Sequence, residues 1–344
     1  MAGPGDSDLP VDVKLFEDLG AVEADAAGAL DRPAQPLLFN RVSWYRRVAE
    51  HCPPPGKLLV ARADGTWLFL AVERGHARSL ACWYSLRADM AIFQPDQSTV
   101  RDCSEAIARK VREIGVARVS LYPLALDGDE VAAEFRQAGW IVRAEPAGVS
   151  WQVSTYGQDF AAYWARRPSK LRNTAARKAK AAGLEIAIHR RFDPAAWADY
   201  ETVYAASWKG EEGSPAFLRA MAEEEGAAGT LRLGIAKKDG TPIAAQLWTV
   251  ENGTAWIHKL AYDEAAKPLS PGTILSMEMF RAAIDEDRVA RIDYGTGDDG
   301  YKRDWMEIRA PLWRIEAYNP RTLAGLIGAA RAWASALVRG RLSR

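Results

Sequence analysis

The chain is written twice. Asp64-Gly65 and Asp239-Gly240, both two-residue hairpin signals between β-rich runs, stand 175 residues apart. The long helical pattern after each hairpin repeats at an offset of about 174, and the next strand pattern at about 173. A constant offset across three elements argues for a duplicated fold. The total length of 344 residues leaves room for two cores.

The second copy is the clearer. LEIAIHR (184–190) alternates as a strand, and helical patterns follow at 194–207 and 215–225. LRLGIAK, IAAQLWTV and TAWIHKLAY then form a meander, joined at Asp239-Gly240 and Asn252-Gly253. A helix is expected over 273–288, a strand over 290–294, a polar loop, and a last strand near 311–318. The order is β-α-α-β-β-β-α-β-α-β. The first copy offers LLVARA, WLFLAVE and ARSLACWY, a helix over 100–114, a strand at 117–121, a helix near 130–138 and a strand at 140–142. Its loop before the helix, RADMAIFQPDQST, has no glycine, so only the second half is equipped to bind phosphate. The boundary falls near 150–156.

Composition narrows the setting. Lys+Arg and Asp+Glu balance at 45 each, so whole-molecule charge excludes little. The distribution is more telling: residues 160–184 hold seven Lys/Arg and no acid, and residues 317–344 hold five Arg and no acid. Thirteen Trp is a high count for a side chain that favours half-wet interfaces. Cys52, Cys82 and Cys103 are odd in number and lack metal-ligand spacing, which predicts reduced, buried thiols in a cytosol. The first thirty residues are acidic and broken by Gly and Pro, so no signal peptide is expected. No apolar run is long enough to span a membrane. A cytoplasmic location follows, with room for peripheral attachment.

Three further stretches carry chemistry. Ser270, Pro271, Gly272 and Thr273 precede the long helix of the second half. A helix N-terminus offers unpaired N–H groups to an anion, and Gly272 lets it approach the backbone. The same residues also read as an ordinary start, with Ser270 as N-cap and Pro271 at the first position. GDDGYKRDW (297–305) follows the next strand and contains Asp298, Tyr301 and Lys302, either as reacting groups or as a charged loop held by surface ion pairs. His258 lies in the third meander strand. Alternation puts it on one face with Trp256 and Leu260, opposite Ile257 and Lys259. It is a candidate general base or a hydrogen-bonded structural histidine.

This order of elements resembles the GNAT acyltransferase fold, and tandem copies with the active loop in the second half resemble its FemAB-like and CelD-like branch. The residues carrying the likeness are Ser270-Pro271-Gly272-Thr273, the strand Ile292-Asp293-Tyr294, and the loop 297–305. KLRNTAARKAK (170–180) and the Trp44 region add support, and the likeness covers about 35–318. It implies an α/β fold of two GNAT-like lobes, each a mixed, mostly antiparallel sheet flanked by helices. The lobes would span 1–150, lacking the phosphate loop, and 151–318, the catalytic one. Residues 319–344 would form a basic amphipathic helix.

The resemblance further implies N-acyl transfer from a thioester to an amine, with acyl-CoA or acyl carrier protein as donor and no metal. Ser270 to Thr273 would hold the donor pyrophosphate. Tyr301 would protonate the leaving thiolate, His258 or Asp298 would take the amine proton, and Lys302 would hold Asp298 or a donor phosphate. Asp293 is a second candidate acid. Acetyl-CoA-type members carry a more glycine-rich loop with Arg or Gln ahead of it; here stand Lys267 and a single Gly272. The acceptor implied is a small-molecule or lipid amine, and some members of the branch resemble sphingoid-base acylators, that is, bacterial ceramide synthases. The FemAB-like alternative adds amino acids from aminoacyl-tRNA to a cell-wall precursor, using the basic run 169–182 as its RNA grip. A catalytically inactive scaffold is the third possibility, and DNA is not among the expected partners.

The tail remains. Leu323, Leu326, Ile327, Ala330, Trp333, Leu337 and Val338 fall on one helical face, with Arg and small residues elsewhere. Such a face either touches a membrane surface through 321–344 or packs on the protein.

Overall fold

The computed structural model describes residues 11–94 and 99–342, with side-chain surroundings through 335. Residues 1–10, residues 95–98 of the glycine-free loop, and the Leu337 and Val338 side chains lie outside the described residues. The chain divides into two units, Met1–Ala147 with Pro311–Arg344, and Gly148–Ala310.

The strands of the first unit are β1 (Val13–Phe16), β2 (Lys57–Ala63), β3 (Thr66–Glu73), β4 (His76–Ser79), β5 (Ala91–Ile92) and β6 (Arg118–Leu124). Its helices are α1 (Leu19–Ala26), α2 (Val42–His51), α3 (Val100–Glu113) and α4 (Gly128–Gln137). β7 (Ile141–Ser154) leads into the second unit. There follow α5 (Phe160–Ala165), α6 (Ser169–Ala182), β8 (Glu185–His189), α7 (Pro194–Ala205), α8 (Pro215–Ala227), β9 (Leu231–Lys238), β10 (Thr241–Glu251), β11 (Thr254–Tyr262), α9 (Pro271–Arg281), β12 (Arg291–Thr296), α10 (Lys302–Trp305) and β13 (Ile308–Tyr318). The last helix is α11 (Leu323–Leu342).

The duplication is real in three dimensions. In each unit three antiparallel strands are followed by a helix and by a strand that runs parallel to the third. β2–β3–β4 lead to α3 and β6, and β9–β10–β11 lead to α9 and β12. Asp239-Gly240 and Asn252-Gly253 both take positive φ at each residue, which is what the tightest hairpin turns demand. The third strand of the first copy is shorter than its sequence suggests, only His76–Ser79. The helix expected over 273–288 begins at Pro271, ends as an α-helix at Arg281 and closes with a π-turn over Ala282–Glu286.

Each unit is completed by a strand from the other half of the sequence. β13 runs antiparallel to β6, so residues 311–318, expected in the second lobe, lie in the first unit. Residues 150–154 of β7 run antiparallel to β12 in the second unit. Sequence patterns locate strands, but pairing partners are set by backbone hydrogen bonds formed at long range. The division between units accordingly falls at Ala147/Gly148 rather than at 150–156, and α11 belongs with the first unit.

The second core packs Val153, Phe160 and Tyr163 with Trp248, Ile257, Leu275, Phe280, Ile292 and Trp305. Phe280 sits at its centre, with ring contacts to Tyr163 at 5.3 Å, Trp248 at 5.3 Å and Trp305 at 4.9 Å. Several of the Trp residues are therefore core side chains of this unit. The sequence reading of three buried thiols is correct only for Cys103; Cys52 and Cys82 are partly accessible.

Candidate active site

β11 and β12 run side by side for only three register pairs, Thr254–Trp256 against Arg291–Asp293. β11 continues to Tyr262 and β12 to Thr296 with no further pairing between them. The sheet therefore opens into a gap between these two strands. α9 follows directly, and its first turn stands beside the far end of β11: a Cβ added to Gly272 would lie 3.0 Å from Cδ1 of Tyr262.

A β-bulge interrupts the other side of β11. Leu247 opposes Lys259 and Trp248 opposes Ile257, so His258 is the extra residue. The bulge shifts the alternation, and the faces expected from the sequence are wrong beyond it. Ile257 and Leu260 both pack on the second core, whereas Lys259 turns to the opposite side. There its ammonium bonds the Glu212 carboxylate at 2.8 Å and lies 5.4 Å from the Tyr204 ring centroid. The His258 ring nitrogen Nε2 meets Thr249 Oγ1 at 2.9 Å, and the histidine is half-buried.

A line of hydrogen bonds crosses the open end of the gap. Trp248 Nε1 donates to Gln246 Oε1 at 2.9 Å, and Gln246 Nε2 donates to Ser276 Oγ at 2.7 Å. The Tyr294 hydroxyl on β12 hydrogen-bonds the Ser276 and Tyr301 hydroxyls. Gln246, Ser276 and Tyr294 are all buried, and the line ends at Tyr301, which is 43% exposed. Burial raises the pKa of both tyrosines, and Asp299 adds to the effect at Tyr301, so both phenols keep their protons at neutral pH. A buried polar line of this kind fixes the position of its last member. Ser276 and Gln246 were not singled out from the sequence, and Tyr294 was named only as part of the strand Ile292-Asp293-Tyr294. The legible signal was Gln246, one amide inside the otherwise apolar run IAAQLWTV.

The remaining predicted residues fall in different places. Ser270 adopts a left-handed backbone (φ 56) and its side chain makes no cap, contrary to its reading as a side-chain N-cap. The N–H groups of Thr273 and Ile274 already donate to the Ser270 carbonyl, so less of the first turn is open to an anion than expected. Pro271 occupies the first helical position, as expected. The basic helix α6 reaches this turn through Lys178, whose ammonium donates to the Pro268 carbonyl. α6 itself starts after Pro168, with no side-chain cap from Ser169, and stops at the left-handed Gly183.

Asp298 is gripped from two sides. Arg309 approaches with Nη2 at 2.6 Å from Oδ2 and Nε at 3.2 Å from both oxygens, and Trp151 Nε1 donates at 3.0 Å. The Arg309 guanidinium holds this carboxyl below its ordinary range. Lys302 does not hold Asp298. Its buried ammonium donates to the Thr296 carbonyl at 2.7 Å and the Gly297 carbonyl at 3.2 Å, pairs with Asp299 at 3.5 Å, and has its pKa lowered by burial. It pins the loop. Asp293 is fully buried and accepts from Ser150 Oγ at 2.7 Å and Gly295 N–H at 2.9 Å, which anchors β12 and its turn. Among the described residues no group of three or more His, Cys, Asp or Glu is placed to hold a metal ion.

Residues 165–303, which contain the opened strands, α9 and the Tyr301 loop, match the acetyltransferase (GNAT) domain family. No curated protein matches the sequence of this chain. Among solved structures, FemX has a TM-score of 0.57 at 9% identity, over 88% of this chain and 96% of that one. A conserved protein of unknown function from Bacteroides thetaiotaomicron gives 0.55 at 14%, over 89% and 100%. L-PGS from Bacillus licheniformis gives 0.54 at 11%, over 86% and 96%. Likeness at such identities is likeness of fold. With the domain match over residues 165–303, it gives the chain an α/β, GNAT-like fold.

Proposed function

We propose that the second unit is an N-acyltransferase that moves an acyl group from a phosphate-bearing thioester, an acyl-CoA or an acyl carrier protein thioester, to an amine. The observation that carries this reading is the parting of β11 and β12 after three pairs, with a helix N-terminus and a protonated tyrosine at the open end. Beyond Trp256 the β11 backbone is not paired with β12, and a strand edge of that kind suits the amides of a pantetheine arm.

The amine attacks the thioester carbonyl, whose oxygen is stabilised by a backbone N–H at the bulge of β11. His258, hydrogen-bonded to Thr249, takes the amine proton. Tyr301, steadied by Tyr294, gives its proton to the departing sulfur. Asp298 stays ionised beside Arg309 and orients the acceptor rather than acting as base. Gly272 and the first turn of α9 face the donor phosphates, with the Lys178 ammonium nearby. The test is a titration of the purified protein with coenzyme A and with short-, medium- and long-chain acyl-CoAs, using Gly272→Asp as control. Saturable binding lost in the variant supports the reading, and absence of binding to all of them rejects a coenzyme A donor.

No comparison points to a sphingoid base, so the acceptor is carried forward as an amine only. A second donor has its own support. Lys170, Asn173, Arg177 and Lys180 share one face of α6, and among the described residues the three basic members form no ion pair. That stripe suits an aminoacyl-tRNA donor in a FemAB-like reaction. Salt-sensitive tRNA binding lost on charge reversal at Lys170, Arg177 and Lys180 would establish it. An inactive scaffold, in contrast, would keep its cellular role in Tyr301→Phe and His258→Ala.

We also assign α11 to a membrane surface. Leu323, Leu326, Ile327 and Trp333 are exposed, while Gly325, Gly328 and Ala329 form its packed side against residues such as Ala117 and Tyr318. No described helix is long and apolar enough to cross a membrane. Co-sedimentation with anionic vesicles, reduced in Leu326→Glu and unchanged with zwitterionic vesicles, is the expected result.

A further inference from the structure

β8 is the outer strand of the second unit's sheet and, among the described residues, pairs with β9 alone. Its five residues, Glu185-Ile186-Ala187-Ile188-His189, run against β9 in unbroken register. An open strand edge is a template for another strand, and natural sheets blunt such edges with Pro, a bulge or Lys. β8 carries none of the three. β1, the outer strand of the first unit, does hold a lysine, Lys14, whose side chain is more than half exposed.

The two faces of β8 differ. Leu184, Ile186 and Ile188 line a hollow of about 370 Å³ together with Ala179 of α6 and Ile274 of α9. These three β8-side residues are only partly buried against the second core. Alternation puts Glu185, Ala187 and His189 on the other face. Glu185 is exposed, and Lys237, directly opposite it on β9, is already held by Asp199 at 2.6 Å. Among the described residues Glu185 forms no ion pair. His189 is partly exposed, with Nδ1 3.9 Å from Asp193 Oδ2.

This stretch is complementary to itself. Two copies aligned antiparallel about Ala187 bring Ile186 opposite Ile188 of the other copy, twice, on the side of the hollow. They bring Glu185 opposite His189, twice, on the other side, and Ala187 meets its own counterpart on the two-fold axis. Opposite residues in such a pair have Cβ atoms about 4.5–5.5 Å apart, close enough for the isoleucines to touch and for each imidazole N–H to reach a carboxylate. We propose that two copies of this chain associate through β8, which joins their sheets in a closed, isologous interface. The isoleucines of each copy then extend the apolar wall of the other's hollow.

The experiment is sedimentation equilibrium of the full chain over a concentration series, where the mass should rise reversibly toward that of two chains. Glu185→Lys and His189→Glu should each weaken the association by about 3- to 30-fold, because the unfavourable pair occurs twice. An equimolar mixture of the two variants should recover it, since opposite charges then face each other across the axis. Register is read separately: under mild oxidation Ala187→Cys should cross-link two copies through position 187 faster than the wild-type chain forms any intermolecular disulfide, as directly opposed strand positions lie within disulfide reach. A mass that stays at one chain throughout, association unchanged in both charge variants, a mixture no tighter than either variant alone, or Ala187→Cys that cross-links no faster than wild type overturns the proposal.

Discussion

Gly272 in the first turn of α9 lies against Tyr262 at the end of β11: a Cβ on the glycine would lie 3.0 Å from the tyrosine ring. Tyr262 in turn stacks near Trp208, with centroids 4.5 Å apart. The end of β11 and the first turn of α9 are therefore fitted to each other through one ring. Gly272→Val should lower stability by about 1–2 kcal/mol, the usual result of overpacking. Combined with Tyr262→Ala, its cost should be clearly less than the sum of the two single changes, because the clash is gone. Urea unfolding of the four proteins measures this, and additivity would mean the ring is not what limits the space.

Tyr301 and Tyr294 should separate into a chemical and a supporting role. If Tyr301 supplies the proton, Tyr301→Phe should reduce kcat by about 10²-fold or more and leave the melting temperature nearly unchanged. Tyr294→Phe removes the partner shared by Ser276 and Tyr301 and should cost about 1–3 kcal/mol of stability. Equal losses of activity with equal losses of stability in both variants would reduce the line of hydroxyls to a packing device.

Asp298 should prove a poor base. Its pKa is lowered by Arg309, so on folding it contributes stability that is present above its unfolded pKa and lost as the pH falls through the folded value. Asp298→Asn should therefore act mainly on the acceptor KM, with kcat changed by less than about 3-fold. His258→Ala should reduce kcat by about 10²-fold instead, the usual loss of a general base. A large kcat loss confined to Asp298→Asn would reverse the two roles.

Glu134 on α4 gives the first unit a pH signature. Burial, helped by Glu130 and Glu105 and opposed by Ser104 and Arg101, pushes its pKa from 4.5 to about 7. Between those values the folded chain keeps a proton that the unfolded chain has released, so stability falls as the pH rises through that window. Glu134→Gln should raise the unfolding free energy near pH 8 by about 1 kcal/mol, a figure reduced for the partial exposure of the side chain, and change little near pH 4. Denaturant titrations at the two pH values check it.

Much of this fold was legible because its signals are local. Asp239-Gly240 and Asn252-Gly253 favour positive φ wherever they stand, and Pro271 suits a first helical turn in any context. The helices and the succession of strands in the second copy followed from periodicity together with these turn signals. The candidate site was legible in part. Gly272, His258, Asp298 and Tyr301 were each named, but Arg309 and Ser276 were not, and Tyr294 appeared only as part of the strand Ile292-Asp293-Tyr294, since no spacing announces a partner on another strand. Of the two roles given to Lys302, the grip on Asp298 is not what the structure shows, for the same reason: the carbonyls it binds, at Thr296 and Gly297, become neighbours only once the loop has closed.

The sequence by itself determined the duplication, the meanders and the helix that follows each, because backbone preference and side-chain period act over a few residues. Tertiary structure decided three things. It placed β13 beside β6 and the end of β7 beside β12, so that each unit closes with the other half's strand. It inserted the bulge at His258, which reverses every face beyond it and sends Lys259 toward Glu212. It also turned the small-residue side of α11 inward, because the close approach at Gly325, whose Cβ would lie 2.1 Å from the Asn319 carbonyl, admits no larger side chain. Each depends on hydrogen-bond register or steric fit between segments far apart in the chain, where local propensity has no vote.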